Sequence, residues 1–91
     1  MPSESELTVY AIAEASNMGL QKLLDIKINH RLSFDYYIET QYAHKIRLIR
    51  PCTSSLRHEL GHAYMAERIP KLYAIFNKIL TNTTKRRMVW S

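Results

Sequence analysis

Two histidines and a glutamate occur at a spacing that suits metal chemistry. His58 and His62 are four residues apart, and Glu59 directly follows the first histidine. On an α-helix, residues four apart lie one turn from each other on the same face, so the two imidazoles could share one Zn²⁺ ion. The glutamate beside them could activate a metal-bound water. The segment therefore contains two possible ligands and a possible base of a hydrolytic zinc site.

A catalytic zinc usually takes three protein ligands, and the third is the difficulty here. The sole acidic residue or histidine after His62 is Glu67. It lies about 140° around the same helix, which places it outside the coordination sphere of His62. The remaining candidates precede the motif and are His30, Asp35, Glu39 and His44.

The spelling HELGH at residues 58–62 resembles zinc metallopeptidases. Those enzymes also have an edge strand and an enclosing lobe that position the substrate, and the helical pattern described below leaves no place for such a strand. We therefore predict that the protein is not an enzyme and has no catalytic residue, cofactor or resident metal. Metal binding by the two histidines is expected to be incidental.

Length, composition and charge indicate one small domain. The chain has 91 residues, of which 46% are hydrophobic, and a formal net charge of +5. This hydrophobic content exceeds that of disordered chains. A single cysteine, Cys52, excludes an intrachain disulfide, and no apolar run approaches the roughly 20 residues of a membrane span. We expect an intracellular protein, cytoplasmic or nuclear, without a membrane segment.

Helix signals recur along most of the chain. Ser3 and Glu6 have the spacing of a capping box for a first helix that ends near residue 16. Apolar residues three and four apart, with Pro51 and Pro70 as stops, predict further helices over residues 18–28, 33–50, 53–69 and 71–80. The prediction is an all-α bundle of four to five short helices within residues 1–82.

The core of this bundle is predicted from apolar stripes. The stripe of the second helix consists of Leu20, Leu23, Leu24 and Ile28. That of the third helix consists of Phe34, Ile38, Tyr42, Ile46 and Ile49. In the fourth helix, Leu60 is predicted to face inward, and the polar residues of the HELGH motif to face the wetter side.

The carboxy-terminal end is basic. No acidic residue follows Glu67, and we assign residues 83–91 as a basic tail. Such a tail is most often solvated, but Lys85, Arg86 and Arg87 could make weak contact with nucleic acid.

Residues 8–25 invite comparison with a DNA-binding helix-turn-helix, with Asn17 at the turn. The outward positions of the second helix include Gln21, Lys22 and Asp25, of which one is basic. Phosphate binding normally needs several basic side chains near the docking helix. DNA binding is therefore an alternative and not the main prediction.

Two longer segments resemble the late helices of fungal-type BTB/POZ proteins. These segments are VYAIAEASNMGLQKLLDIKI and IRLIRPCTSSLRHELGHAYMAERI. Matching residues in the first are Val9, Tyr10, Ala13, Glu14, Met18, Leu20 and Leu23, and those in the second are Ile46, Leu48, Thr53, Leu56, Arg57, Leu60, Tyr64 and Ile69. The family's amino-terminal strands have no match, so the chain looks like the carboxy-terminal helical half of such a domain.

The BTB/POZ resemblance implies a non-catalytic protein–protein interaction module. Apolar surface that the missing strands would cover favours a protein partner or self-association. Two alternatives stay open. One is a zinc metallopeptidase-like protein with His58 and His62 as ligands and Glu59 as base, and the other is a helix-turn-helix protein.

Overall fold

The computed structural model describes residues 2–83 and the side chains of residues 2–79. Its elements in chain order are α1 (Glu4–Met18), β1 (Leu23–Ile28), β2 (Tyr36–Glu39), β3 (Ala43–Leu48), α2 (Thr53–Arg68) and α3 (Pro70–Thr83). The predicted all-α bundle of four to five helices is therefore wrong. The described residues form an α/β fold with three helices and one three-stranded sheet.

Local signals at both ends account for α1. The Glu6 backbone N–H donates to Ser3 Oγ at 3.2 Å, and the Ser3 N–H donates to Glu6 Oε1 at 3.1 Å, so the predicted capping box is confirmed. The helix ends at Gly19, whose φ of +76° is a left-handed conformation that suits glycine. Leu7, Ala11 and Ala15 face the core.

The helix predicted over residues 18–28 is wrong beyond Met18, because Gly19 ends α1 and residues 23–28 form β1. Leu24, Ile26 and Ile28 pack on the core, whereas Leu23 is 74% exposed. Residues two apart on a strand share a face. Residues four apart therefore share a face on a strand as well as on a helix. Leu24 and Ile28 therefore matched a helical stripe although they belong to a strand.

The helix predicted over residues 33–50 is also wrong, since this segment contains β2 and β3. Burial alternates along β3, where His44, Ile46 and Leu48 are buried and the residues between them are partly exposed. This alternation is typical of a strand with one face on the core. Of the predicted stripe, Ile46 is buried, but Ile38 and Tyr42 are 50% and 74% exposed.

The sheet has the order β1-β3-β2, with β3 parallel to β1 and antiparallel to β2. The register places Ile26 and Tyr37 on either side of Ile46. The core combines residues from α1, α2, β1 and β3, so both helices cover the same face of the sheet. Contacts of α2 with β2 and β3 place this helix beneath an antiparallel edge strand.

The last two predicted helices are confirmed as α2 and α3. Leu56 and Leu60 of α2 are fully buried, so the inward position predicted for Leu60 is correct. α3 begins at Pro70, a residue that suits the first turn of a helix. Among the elements described, α3 packs on α2 alone.

None of the helices within residues 2–83 combines the length and the apolar content needed to cross a bilayer. The predicted basic tail, with Lys85, Arg86 and Arg87, lies outside the described residues except for Thr83.

Candidate active site

The HELGH residues lie in the middle of α2 and include both exposed and buried side chains. His58 is exposed, whereas Glu59 and His62 are 1% and 7% exposed. The prediction that the polar residues of this helix share a wet side is therefore wrong for Glu59 and His62. Burying a carboxylate and an imidazole costs free energy that apolar side chains would not cost, so their positions suggest a task other than packing.

The two histidines, which are four residues apart in sequence, also have neighbouring side chains in the structure. Their ring centroids are 5.1 Å apart, and the ring planes are nearly perpendicular at 85°. The pair therefore lies close enough for both imidazoles to contact one ion, which would agree with their one-turn separation on α2.

His62 is held between the edge strand and α3. The ring of Tyr37 on β2 lies nearly parallel to that of His62, with centroids 6.2 Å apart. On the other side, the Tyr73 hydroxyl of α3 is 3.2 Å from His62 Nδ1. A metal ion would consequently bind through Nε2 while Nδ1–H donates to Tyr73, which is how metal-binding histidines are commonly oriented.

A second polar cluster joins the far end of α2 to the sheet. Glu67 Oε1 lies 2.8 Å from Nε2 of the fully buried His44, and its carboxylate also accepts from the backbone N–H groups of Gln21 at 2.6 Å and Lys22 at 3.2 Å. Burial alone would raise the pKa of Glu67, but these hydrogen bonds hold it below its ordinary value. The Glu67 carboxylate thus joins α2 to β3 and to the segment immediately before β1.

The tautomer of His44 follows from its neighbours. Because ionised Glu67 can only accept, His44 Nε2 donates to it, and Nδ1 accepts from the Tyr37 hydroxyl at 2.7 Å. Burial and then the nearby Glu39 carboxylate raise the pKa of Tyr37, so this phenol keeps its proton. A continuous chain of hydrogen bonds therefore runs from Glu67 through His44 to the tyrosine that lies against His62.

Tyr73 also retains its proton. Burial raises its pKa, the carboxylates of Glu59 and Glu39 add to that effect, and a hydrogen bond with Asn77 opposes it. A neutral phenol can accept the Nδ1–H of His62.

The structure does not bring the predicted third-ligand candidates to the two histidines. His30 lies exposed after β1, Asp35 accepts from the Ile49 N–H at 2.8 Å, and Glu39 pairs with Lys22 at 2.8 Å. Within residues 2–83, no group of three or more His, Cys, Asp or Glu residues is arranged to hold a metal ion. The described residues therefore offer zinc two neighbouring histidines, with Glu59 adjacent in sequence, and no third protein ligand.

The helix-turn-helix alternative lacks its second helix. Residues 23–28 are a strand, and the Lys22 ammonium is paired with Glu39. No recognition helix is therefore present in the segment for which one was considered.

No family model, curated protein or solved structure matches the chain. The BTB/POZ resemblance stays a prediction. The two segments that it covers contain β1 and the end of β3, where the resemblance implied helices.

Sequence reasoning found His58, Glu59 and His62 through their spacing but missed the residues around them. Tyr37 and Tyr73 come from different elements, and neither stands at a motif position relative to His62. One signal was present: a glutamate and a histidine that become buried, as Glu59 and His62 do, are costly unless they have partners.

Proposed function

We propose that the protein is a zinc-dependent hydrolase of the metallopeptidase type, with its metal-binding helix at α2. His58 and His62 are the proposed ligands and Glu59 the general base. The observation that carries the proposal is the position of α2 beneath β2, an antiparallel edge strand. The non-catalytic prediction depended on the missing third zinc ligand and also on the absence of such a strand.

The proposed ion would polarise the scissile carbonyl and make a water molecule more acidic. Glu59 is the proposed base that takes a proton from the attacking water and delivers it to the leaving amine. Its burial, at 1% exposure, keeps the carboxylate away from bulk solvent. A base with little competing hydration is suited to a proton transfer of this kind.

Two tyrosines would hold His62 in position. Tyr73 fixes the tautomer through Nδ1, and Tyr37 limits rotation of the ring by stacking on it. The hydrogen bond from Tyr37 to His44, and from His44 to Glu67, in turn fixes Tyr37 on the edge strand. The role of this chain of groups is positioning rather than contact with substrate.

The edge strand indicates the class of substrate. Within the described residues, β2 pairs with β3 on one side only, so its other side offers backbone donors and acceptors. An extended peptide could add to this edge as a further strand. It would then run past Tyr37 and the adjacent histidines, which supports a peptide bond as the target.

The proposal needs a third metal ligand in addition to His58 and His62. Water can fill coordination positions at a catalytic zinc. Residues 84–91 contain no His, Cys, Asp or Glu, so the proposal requires the remaining donor to come from another molecule.

Metal binding and hydrolysis can be tested together on the full chain. We expect one equivalent of Zn²⁺ to bind, with loss of binding in His58→Ala and in His62→Ala but not in the matched variant His30→Ala. Glu59→Gln should retain zinc while losing hydrolysis of an unstructured protein such as casein. Zinc binding that persists in both histidine variants, or hydrolysis that survives Glu59→Gln, would contradict the proposal.

A further inference from the structure

The outer side of α3 carries an apolar stripe that the described fold leaves uncovered. Leu72, Ile75 and Phe76 are 60%, 57% and 43% exposed, and Ile79, at 57%, continues the same spacing. At about 100° per residue, these four positions fall within an arc of roughly 100°. Single exposed apolar residues are common, but a contiguous helical stripe of this kind is typical of a docking surface.

Charge is distributed unevenly around this stripe. Lys71 and Lys78 lie on one flank, about 90–110° from its centre. Tyr73 and Asn77 lie on the opposite flank, and both are partly buried, as residues on the side that packs on α2 should be. No acidic residue occurs in the α3 sequence, so the charged residues of the open flank are both lysines.

This arrangement disfavours a second copy of the chain as the occupant. Antiparallel pairing of two α3 helices would bring the two basic flanks together. Parallel pairing would bring the basic flank of one copy against the side on which α2 of the other copy packs. Neither arrangement supplies the negative charge that Lys71 and Lys78 would attract.

We infer that α3 is a docking site for an amphipathic helix of a partner protein, with an apolar stripe bordered on one side by Asp and Glu. The apolar side chains would pack along Leu72, Ile75 and Phe76, and the acidic flank would pair with Lys71 and Lys78. The inference concerns the face of α3 turned away from α2 and is independent of the proposed hydrolase.

The probe is a designed helical peptide with a leucine stripe and a glutamate flank, compared with an otherwise identical peptide with a lysine flank. Full-length protein should bind the glutamate peptide about tenfold more tightly than the lysine peptide. The charge-reversed double variant Lys71→Glu with Lys78→Glu should reverse that preference. Fluorescence anisotropy of labelled peptides measures both affinities.

Exposed positions supply the matched variants. Ile75→Asp should abolish binding of the glutamate peptide, whereas Val9→Asp on α1, where Val9 is 69% exposed, should leave it unchanged. Circular dichroism of both variants should match the wild type, because neither side chain belongs to the core.

Three results would overturn the inference. The first is equal binding of the two peptides. The second is a dimer by light scattering that Ile75→Asp dissociates, which would make a second copy the occupant. The third is tighter binding to vesicles of phosphatidylcholine and phosphatidylglycerol than to the glutamate peptide, which would make the surface a membrane contact.

Discussion

The second and third helices are consecutive and similar in length, yet they differ in which side chains they bury and which they expose. α2 places a glutamate and a histidine in the interior together with its leucines. α3 exposes a run of large apolar residues and keeps a tyrosine and an asparagine partly covered. The two buried polar residues of α2 support the proposed chemistry, and the exposed apolar residues of α3 support the proposed docking surface.

The largest expected effect of a substitution on stability is at a core residue of α2. Leu60→Ala removes a fully buried side chain from the α2 core and should lower the free energy of unfolding by about 2–5 kcal/mol. Urea denaturation followed by circular dichroism measures it. A change below about 1 kcal/mol would mean that α2 is not the centre of the core.

A smaller effect is expected at the polar end of α2. Glu67→Gln weakens the hydrogen bonds to His44 and to the backbone at Gln21 and Lys22, and should cost about 1–3 kcal/mol of stability. Urea denaturation at pH 7 measures this loss. The matched control is Glu14→Gln on α1, which makes the same chemical change at a site with no described contact to His44 and should leave stability nearly unchanged.

The same glutamate predicts how stability depends on pH. The pKa of Glu67 in the folded state lies below its ordinary value of 4.5, so its stabilising contribution is complete above that value. The contribution is lost as the pH falls through the folded-state pKa. Wild-type stability should therefore decline more steeply below about pH 4.5 than that of Glu67→Gln, and parallel profiles would contradict the assignment.

The contact between Tyr73 of α3 and His62 of α2 predicts how α3 affects zinc binding. Tyr73→Phe removes the hydroxyl that lies 3.2 Å from His62 Nδ1 and should weaken zinc binding about tenfold or more. Competition with a chromophoric chelator measures the affinity. Tyr42→Phe is the matched control, because Tyr42 is 74% exposed, and an equal loss of affinity in both variants would exclude a positioning role for Tyr73.

The smallest expected effect is on the outer side of α3. Ile75→Ala shortens a side chain that is 57% exposed and should change the free energy of unfolding by no more than about 0.5 kcal/mol. Urea denaturation of this variant beside Leu60→Ala compares the two helices directly. A loss as large as that of Leu60→Ala would show that the stripe belongs to the core.

The sequence predicted the helices whose ends carry their own signals. Ser3 and Glu6 mark the start of α1, and Pro70 marks the boundary between α2 and α3. The strands were missed because Leu24 and Ile28 satisfy periods of both two and four. Across residues 33–50, exposed Ile38 and Tyr42 completed a helical stripe by coincidence.

The candidate site was predictable only where its residues are neighbours in sequence. His58, Glu59 and His62 form a local motif, and their spacing is meaningful because α2 is a helix. The surrounding contacts join residues that are far apart in the chain, as with His44 and Glu67, which are 23 positions apart. Such contacts depend on the pairing of β1 with β3 and of β2 with β3, which local patterns do not encode.

Diffraction from zinc-loaded crystals at the zinc absorption edge would test the central claim most directly. We predict one anomalous peak about 2.0–2.1 Å from Nε2 of both His58 and His62, beside Glu59 and beneath β2. A peak that contacts other residues, or no peak in protein saturated with zinc, would contradict a metal centre on α2.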